Sequence, residues 1–343
     1  MKKVSIEDIA QASGVSRGTV SRAFNQRSDI KAETRDKVLD IARKLNYIPN
    51  SSARGLAKGC SECVGIVVPD LLNPFLSEMV TYIERSARKH NLSTSLALTD
   101  DEITLQERIL ISMASGKVDG IIITPCESDE SIKFLNWINT RIPIIALKQF
   151  EGLECDTVIC NDTLASKLVL EHLIDLGHRR IAFLSPEAPV FSVEQRLNAY
   201  KRTLNSLEIE YEKHFICHSK TFDKEEFDFT KLVKSLLQMP VGERPTAIFA
   251  YDDIIALNLI VALENAGFSI PRDISVTGFD NISMGKLSRV PLTSVAASST
   301  RLGEIAIDLL HNKLKNENEK VANITLIPKL FIRNSTAQVS LIC

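Results

Sequence analysis

From Cys63 onward, short apolar runs alternate with amphipathic stretches of helical length, and that alternation decides most of what the chain can become. The runs fall at residues 64–68, 95–98, 120–123, 144–147 and 158–160, then at 181–184, 215–217, 247–250 and 274–278. Helix-like segments such as 75–90, 165–176 and 255–266 lie between them. Strands that are apolar along their whole length are buried on both faces, which predicts parallel sheets with helices on either side. Roughly 280 residues are enough for two such doubly wound lobes. In that architecture ligands bind outside the carboxyl ends of the strands.

The first sixty residues have a different texture. Ser5 and Asp8 form an S-x-x-D box that predicts a helix start, with Ile6, Ile9 and Ala10 on its inner face. Gly14 supplies a turn, and Ser16 caps a second helix over 17–25, with Val20 and Phe24 facing inward. A third helix is expected over 32–45, where Val38, Ile41, Ala42 and Leu45 share a face. Two short helices joined by a glycine turn make a helix-turn-helix. On the second helix Arg17, Gly18, Ser21 and Arg22 lie opposite the apolar side. Arg17 and Arg22 suit guanine edges, while Ser16, Thr19 and Ser21 suit phosphates, with Asn25 ending the contact set. This pattern alone does not separate a DNA reader from an ordinary helical hairpin with solvated charges. Charge distribution adds to it: residues 1–58 carry twelve Lys/Arg against six Asp/Glu, or +6, and the whole chain is only −2, leaving −8 elsewhere. A basic head on an acidic body predicts a polyanionic partner for the head alone.

Other chemistry finds little support. G-x-G-x-x-G, Walker and G-x-S-x-G motifs are missing, so an enzyme is not expected and no catalytic residue is assigned. Of His214, Cys217 and His218, only the two histidines share a strand face, so neither a metal site nor a cofactor is expected. No apolar run approaches a membrane span, and no signal-peptide core follows Lys3, which predicts a cytoplasmic protein with no membrane partner. Seven cysteines, an odd number, read as reduced thiols, and the Cys60/Cys63 spacing lacks a partner pair for zinc. A redox role for those two stays open.

The helix-turn-helix segment, Thr34-Arg35, Asn46-Tyr47-x-Pro49-Asn50 and Ala53-Arg54-Gly55-Leu56 together resemble the head of the lactose-repressor (LacI/GalR) family. The likeness continues through Asn73-Pro74-Phe75, Val118-Asp119-Gly120-Ile121, Gly177-His178-Arg179-Arg180-Ile181, Arg196 and Pro245-Thr246-Ala247-Ile248. Asp273-Ile274-Ser275-Val276, Gly278-Phe279-Asp280-Asn281, Pro291-Leu292-Thr293 and Arg333-x-Ser335-Thr336 complete the series in order.

The resemblance implies a small all-α helix-turn-helix head (1–49), a hinge (50–60) and a periplasmic-binding-protein-like α/β body (61–343). Its two doubly wound lobes would comprise 61–160 with 291–323, and 161–290 with 324–343. The hinge would become helical only when two copies pair on operator DNA, with Asn50 and Ala53 at the duplex and Leu56 wedged into a minor-groove step. Residues 50–58, nine in all, are too few to be helical alone, which agrees. The implied function is a homodimeric transcriptional regulator, a repressor of carbohydrate-utilisation genes, binding double-stranded operator DNA under control of a small effector. The alternative is a transport-type ligand-binding protein without DNA function. For the effector the resemblance points to Asn73, Phe75, Arg196, Phe222, Asp252 and Asp280. Lys148 departs from the family, whose sugar-binding members usually carry Asp there, and Asn161-Asp162 inverts the usual pair. Lys148 and Arg196 are expected to approach one cleft from opposite lobes, so a sugar acid or sugar phosphate ranks above a neutral sugar.

Overall fold

The computed structural model describes residues 4–25, 29–48, 59–186, 191–209, 216–219, 229–315 and 320–339. The chain divides into two units, Met1–Glu62 and Cys63–Cys343.

In the first unit α1 is Ile6–Ser13, α2 Arg17–Phe24 and α3 Ala32–Lys44. The predicted capping box forms: the Ser5 hydroxyl accepts from the Asp8 amide at 3.3 Å, and the Asp8 carboxylate accepts from the Ser5 amide at 2.8 Å. Gly14 ends α1 at φ 69°, a left-handed conformation for which glycine carries no Cβ penalty. Ser16 caps α2 by accepting from the Thr19 amide at 3.1 Å. The three helices close over Ile9, Ala10, Val20, Ala23, Val38 and Ala42. Phe24, expected inside, is only half-buried; its ring leans on Tyr47 at 5.6 Å, and Ala23 fills the innermost position instead.

Among its described residues the second unit holds two six-stranded sheets. The first comprises β1 (Cys63–Val68), β2 (Ser93–Leu98), β3 (Gly120–Ile123), β4 (Ile144–Ala146), β5 (Asp156–Cys160) and β11 (Asn323–Leu326), in spatial order β11-β5-β4-β3-β1-β2, all parallel. Along β3 the period of two is visible: Ile122 joins the core under α4 (Pro74–Lys89) and α12 (Ser299–Lys315). Ile121 and Ile123 join the opposite core, under α5 (Ile103–Ala114) and α6 (Asp129–Asn139). The helices α4 and α12 meet at Gly303, where a Cβ would lie 2.8 Å from the Ile83 amide nitrogen. Lys313 reaches the buried Asp156 carboxylate at 2.8 Å, and Ala322 donates to the same group at 2.6 Å, which fastens β11 beside β5.

The second sheet comprises β6 (Ile181–Pro186), β7 (Ile216–Ser219), β8 (Ala247–Ala250), β9 (Ser275–Phe279), β10 (Thr293–Ala296) and β12 (Lys329–Phe331). Its order is β12-β10-β9-β8-β6-β7, with β12 alone antiparallel. On one face lie α9 (Phe229–Gln238) and α10 (Asp253–Asn265), on the other α7 (Asp162–Asp175) and α8 (Phe191–Ser206); α11 (Ser283–Leu287) follows β9. The chain therefore passes between sheets after β5, β10 and β11. The latter two passages fall a few residues beyond the boundaries expected at 291 and 323, because β10 pairs with β9 and β11 with β5.

Candidate nucleic-acid interface and ligand cleft

Helix α2 presents two sides. Val20 and Ala23 are fully buried, while Ser16, Arg17, Gly18 and Arg22 are exposed and Thr19, Ser21 and Asn25 half-buried. Arg17 pairs with Glu7 at 2.7 Å; Arg22 lies 3.7 Å from Asp29 and donates to the Thr19 hydroxyl at 3.3 Å. Exposed pairs of this kind contribute about 0–1 kcal/mol, so both guanidiniums can exchange them for stronger acceptors. Ser16 and Thr19 hydroxyls are 3.0 Å apart, and the Asn25 amide donates to Ser21 at 3.4 Å. Asn50, Ala53 and Leu56 lie outside the described residues.

In the second unit, charged side chains gather where the parallel strands end. Beyond β1, the Asp70 carboxylate accepts from the Asn73 amide at 2.8 Å, and Asn73 caps α4 by accepting from Phe75 at 3.1 Å. Phe75 is half-buried and packs on the core beneath α4. Beyond β4, Lys148 meets Glu127, which follows β3, at 2.8 Å. Desolvation, reinforced by Asp70, Glu127 and Asp100, holds the Asp101 carboxyl above the usual carboxylate range despite Lys148.

In the other lobe Arg196 is buried. Its Nε donates to Asp162 at 3.0 Å and its Nη1 to the Tyr251 carbonyl at 2.6 Å, while Nη2 is 3.8 Å from Asp280. The guanidinium stacks 3.4 Å from the Phe279 ring centre, and the Tyr251 ring centre is 4.5 Å away. Burial opposes its charge, but Asp162, Tyr251 and Asp280 outweigh that and raise its pKa above the ordinary value. Burial pushes the Tyr251 phenol up to about 12, against the pull of Arg196, and its hydroxyl is 2.8 Å from Ser192. Asp252 caps α10 by accepting from the Ile255 amide at 2.7 Å. Phe222 lies outside the described residues.

The profile described as "Bacterial regulatory proteins, lacI family" matches residues 5–50, and that described as "Periplasmic binding protein-like domain" matches 170–336. The chain is 29% identical over 336 residues to the HTH-type transcriptional repressor PurR of Mannheimia succiniciproducens, covering 98% of this chain and 99% of that one. The lac repressor dimer bound to operator and an anti-inducer superposes with a TM-score of 0.85 at 27% identity, over 98% of this chain and 100% of the other. A LacI family transcriptional regulator from Enterococcus faecium with bound ribose is 32% identical, with a TM-score of 0.69, over 81% of this chain and 100% of its own. The chain belongs to the lacI family of bacterial regulatory proteins.

A lacI-family head on this body removes the alternative of a ligand-binding protein without DNA function. The family is one of transcriptional regulators rather than enzymes. No helix among the described residues is long and apolar enough to cross a membrane.

The structure brings Arg196 and Asp280 together and sets Asp252 one residue beyond Tyr251, whose carbonyl Arg196 holds. It alters the picture of two cations awaiting an anion: Lys148 is matched by Glu127, and Arg196 by Asp162 and Asp280. The ranking of sugar acids and phosphates above neutral sugars rested on those two cations, and each of them faces carboxylates. Sequence reasoning missed Glu127, Asp101 and Tyr251. Each stands just past the carboxyl end of a parallel strand, which is the signal that could have found them. The inversion at Asn161-Asp162 has a local explanation: Asn161 caps α7 through the Leu164 amide at 2.9 Å and frees Asp162 for Arg196. Gly177, at φ 90°, makes the expected structural turn into β6, with His178 buried between Thr246 and the Ala337 carbonyl. Burial pushes the Cys155 and Cys160 thiols up to about 12, where they are inert at neutral pH; Cys60 is exposed and Cys63 half-buried.

Proposed function

We propose that this regulator binds a palindromic operator as a homodimer and represses carbohydrate-utilisation genes, with a small neutral polyhydroxylated effector in the interlobe cleft setting its affinity. The carrying observation is α2: with Val20 and Ala23 inside, Arg17, Gly18 and Arg22 form an exposed basic face of the size that enters a major groove. The lac repressor relative is bound to operator as a dimer, and the Enterococcus faecium relative holds ribose. In this reading Arg17 and Arg22 contact base edges, Ser16, Thr19, Ser21 and Asn25 contact the backbone, and Asn50, Ala53 and Leu56 engage the minor groove. Asn73, Phe75, Lys148, Arg196, Phe222, Asp252 and Asp280 surround the effector. Carboxylates that already face cations accept from sugar hydroxyls, whereas an anion would have to displace them.

The experiment pairs a gel shift with calorimetry. Purified protein should shift a palindrome flanking its own gene, and D-ribose or another neutral sugar should bind with an affinity that Lys148→Ala changes by less than about threefold, well under 1.4 kcal/mol. A sugar phosphate that binds a hundredfold tighter than its parent sugar would overturn the neutral-effector reading. Failure to retard any palindrome would overturn the operator reading.

A further inference from the structure

Past β9 the chain makes a bend that two residues with side chains rarely adopt: Asp280 has φ 93° and Asn281 φ 50°. Three successive amides in this bend each find an acceptor. Asp280 donates to the Val295 carbonyl at 2.8 Å, Asn281 to the Ser294 hydroxyl oxygen at 3.0 Å, and Ile282 to Asp253 Oδ2 at 2.8 Å. The Ser294 hydroxyl in turn donates to Asp253 Oδ1 at 2.6 Å. Both carboxylate oxygens of Asp253 therefore serve the bend, one directly and one through Ser294.

Asp253 is 1% exposed and Ser294 wholly buried. The carboxylate lies on the bare backbone of Gly278, where a Cβ would sit 2.2 Å from Oδ1. On the other side Arg333 donates to the Asn281 side-chain oxygen and to the Leu292 carbonyl, while its amide donates to the Thr293 hydroxyl at 2.9 Å. The bend so held leaves the Asp280 carboxylate 3.8 Å from Arg196.

An acid buried this deeply is costly, burial and the neighbouring Asp280 and Asp252 hold its pKa well above the ordinary carboxylate range, and a core that needed only volume would hold an apolar residue there. We infer that Asp253 is a positioning residue for the effector: it touches no ligand, and with Ser294 it fixes the strained bend so that Asp280 faces Arg196. The inference rests on the reading of the cleft as the effector site.

Hydrogen exchange of the ligand-free full chain tests it without knowing the effector. Asp253→Asn and Ser294→Ala should each speed exchange of the 280–282 amides by at least about tenfold, while amides of α10 and β8 keep wild-type rates. Unchanged exchange at 280–282 in both variants would overturn the proposal. So would a uniform rise across the whole lobe in both, which marks general core support. Calorimetry with D-ribose gives the functional arm: Asp253→Asn should weaken binding by the same factor as Asp280→Asn, and the double variant should lose no more. Fully additive losses would overturn the coupling between the two residues. If D-ribose does not bind the wild type, that sugar is excluded as the effector while the exchange result still decides whether Asp253 holds the bend.

Discussion

Arg196 carries a full charge at a position that water hardly reaches, and three arrangements make that tolerable: carboxylates on two sides, a carbonyl at Nη1, and the flat face of Phe279. Removing one partner from such a set leaves the others buried and unbalanced, at a cost of about 3–5 kcal/mol. Arg196→Ala should therefore lower unfolding stability in urea by that order and abolish the effector's influence on operator binding. Arg196→Lys should rescue neither fully, because a compact ammonium cannot span Asp162, the Tyr251 carbonyl and Asp280 at once, nor stack flat on Phe279. Full ligand response in the alanine variant would remove Arg196 from the site. Arg22 is the opposite case, exposed and weakly paired. Arg22→Ala should leave stability within about 0.5 kcal/mol but cost about 1–3 kcal/mol in operator affinity and relax base preference at one symmetric pair of positions. An operator library that ranks identically for wild type and variant would reassign the reading helix.

At the level of elements, what could be read from sequence was what is local. Ser5, Gly14 and Ser16 fix helix ends through partners three or four residues away, so the starts of α1 and α2 could be placed to the residue and the end of α2 to within one. The apolar runs of β1, β3 and β8 announced themselves in the same way. The strands β10, β11 and β12 are only three or four residues long, and each is defined by a partner far along the chain, so nothing near them marked them. The site follows the same rule: the charge of Lys148 was plain, but its pairing with Glu127 spans 21 residues and changes what the charge can do. The turn from α7 into β6 was legible as structural, and it carries a pH dependence. His178, wholly enclosed, and His172, at 3.0 Å from the Thr336 hydroxyl, are both held below the ordinary histidine range, chiefly by burial. A folded state that disfavours the charged imidazole keeps its full stability above the unfolded pKa near 6.5 and loses it as pH falls through that value towards the lower folded pKa. The melting temperature should decline from pH 7 to pH 5, and less steeply in His178→Gln. Parallel curves for the two proteins would exclude His178 as the source.

Across the whole molecule the two ends of the regulatory device differ in their electrostatics. The head carries +6 against −8 on the remainder, so on the proposed reading two heads on one operator would bring a large excess of cation to a polyanion, while the acidic body would add nothing to non-specific attraction. Lys148 faces Glu127, and Arg196 faces Asp162 and Asp280, so on the proposed reading a neutral ligand exchanging water for those groups releases no counterions. One salt titration separates the two. Operator affinity should fall about 10³-fold or more between 50 and 200 mM salt, as expected when six or more phosphates are neutralised. Effector affinity, measured by calorimetry over the same range, should change by less than about twofold, since partly buried pairs are little screened. The coupling between the sites is reciprocal, so the factor by which the effector changes operator affinity must equal the factor by which operator changes effector affinity at each salt concentration. A shallow operator slope would mean that the basic head is not what meets the duplex. An effector affinity that falls in parallel with operator affinity would mean that the ligand is charged after all, with Lys148 or Arg196 released to meet it.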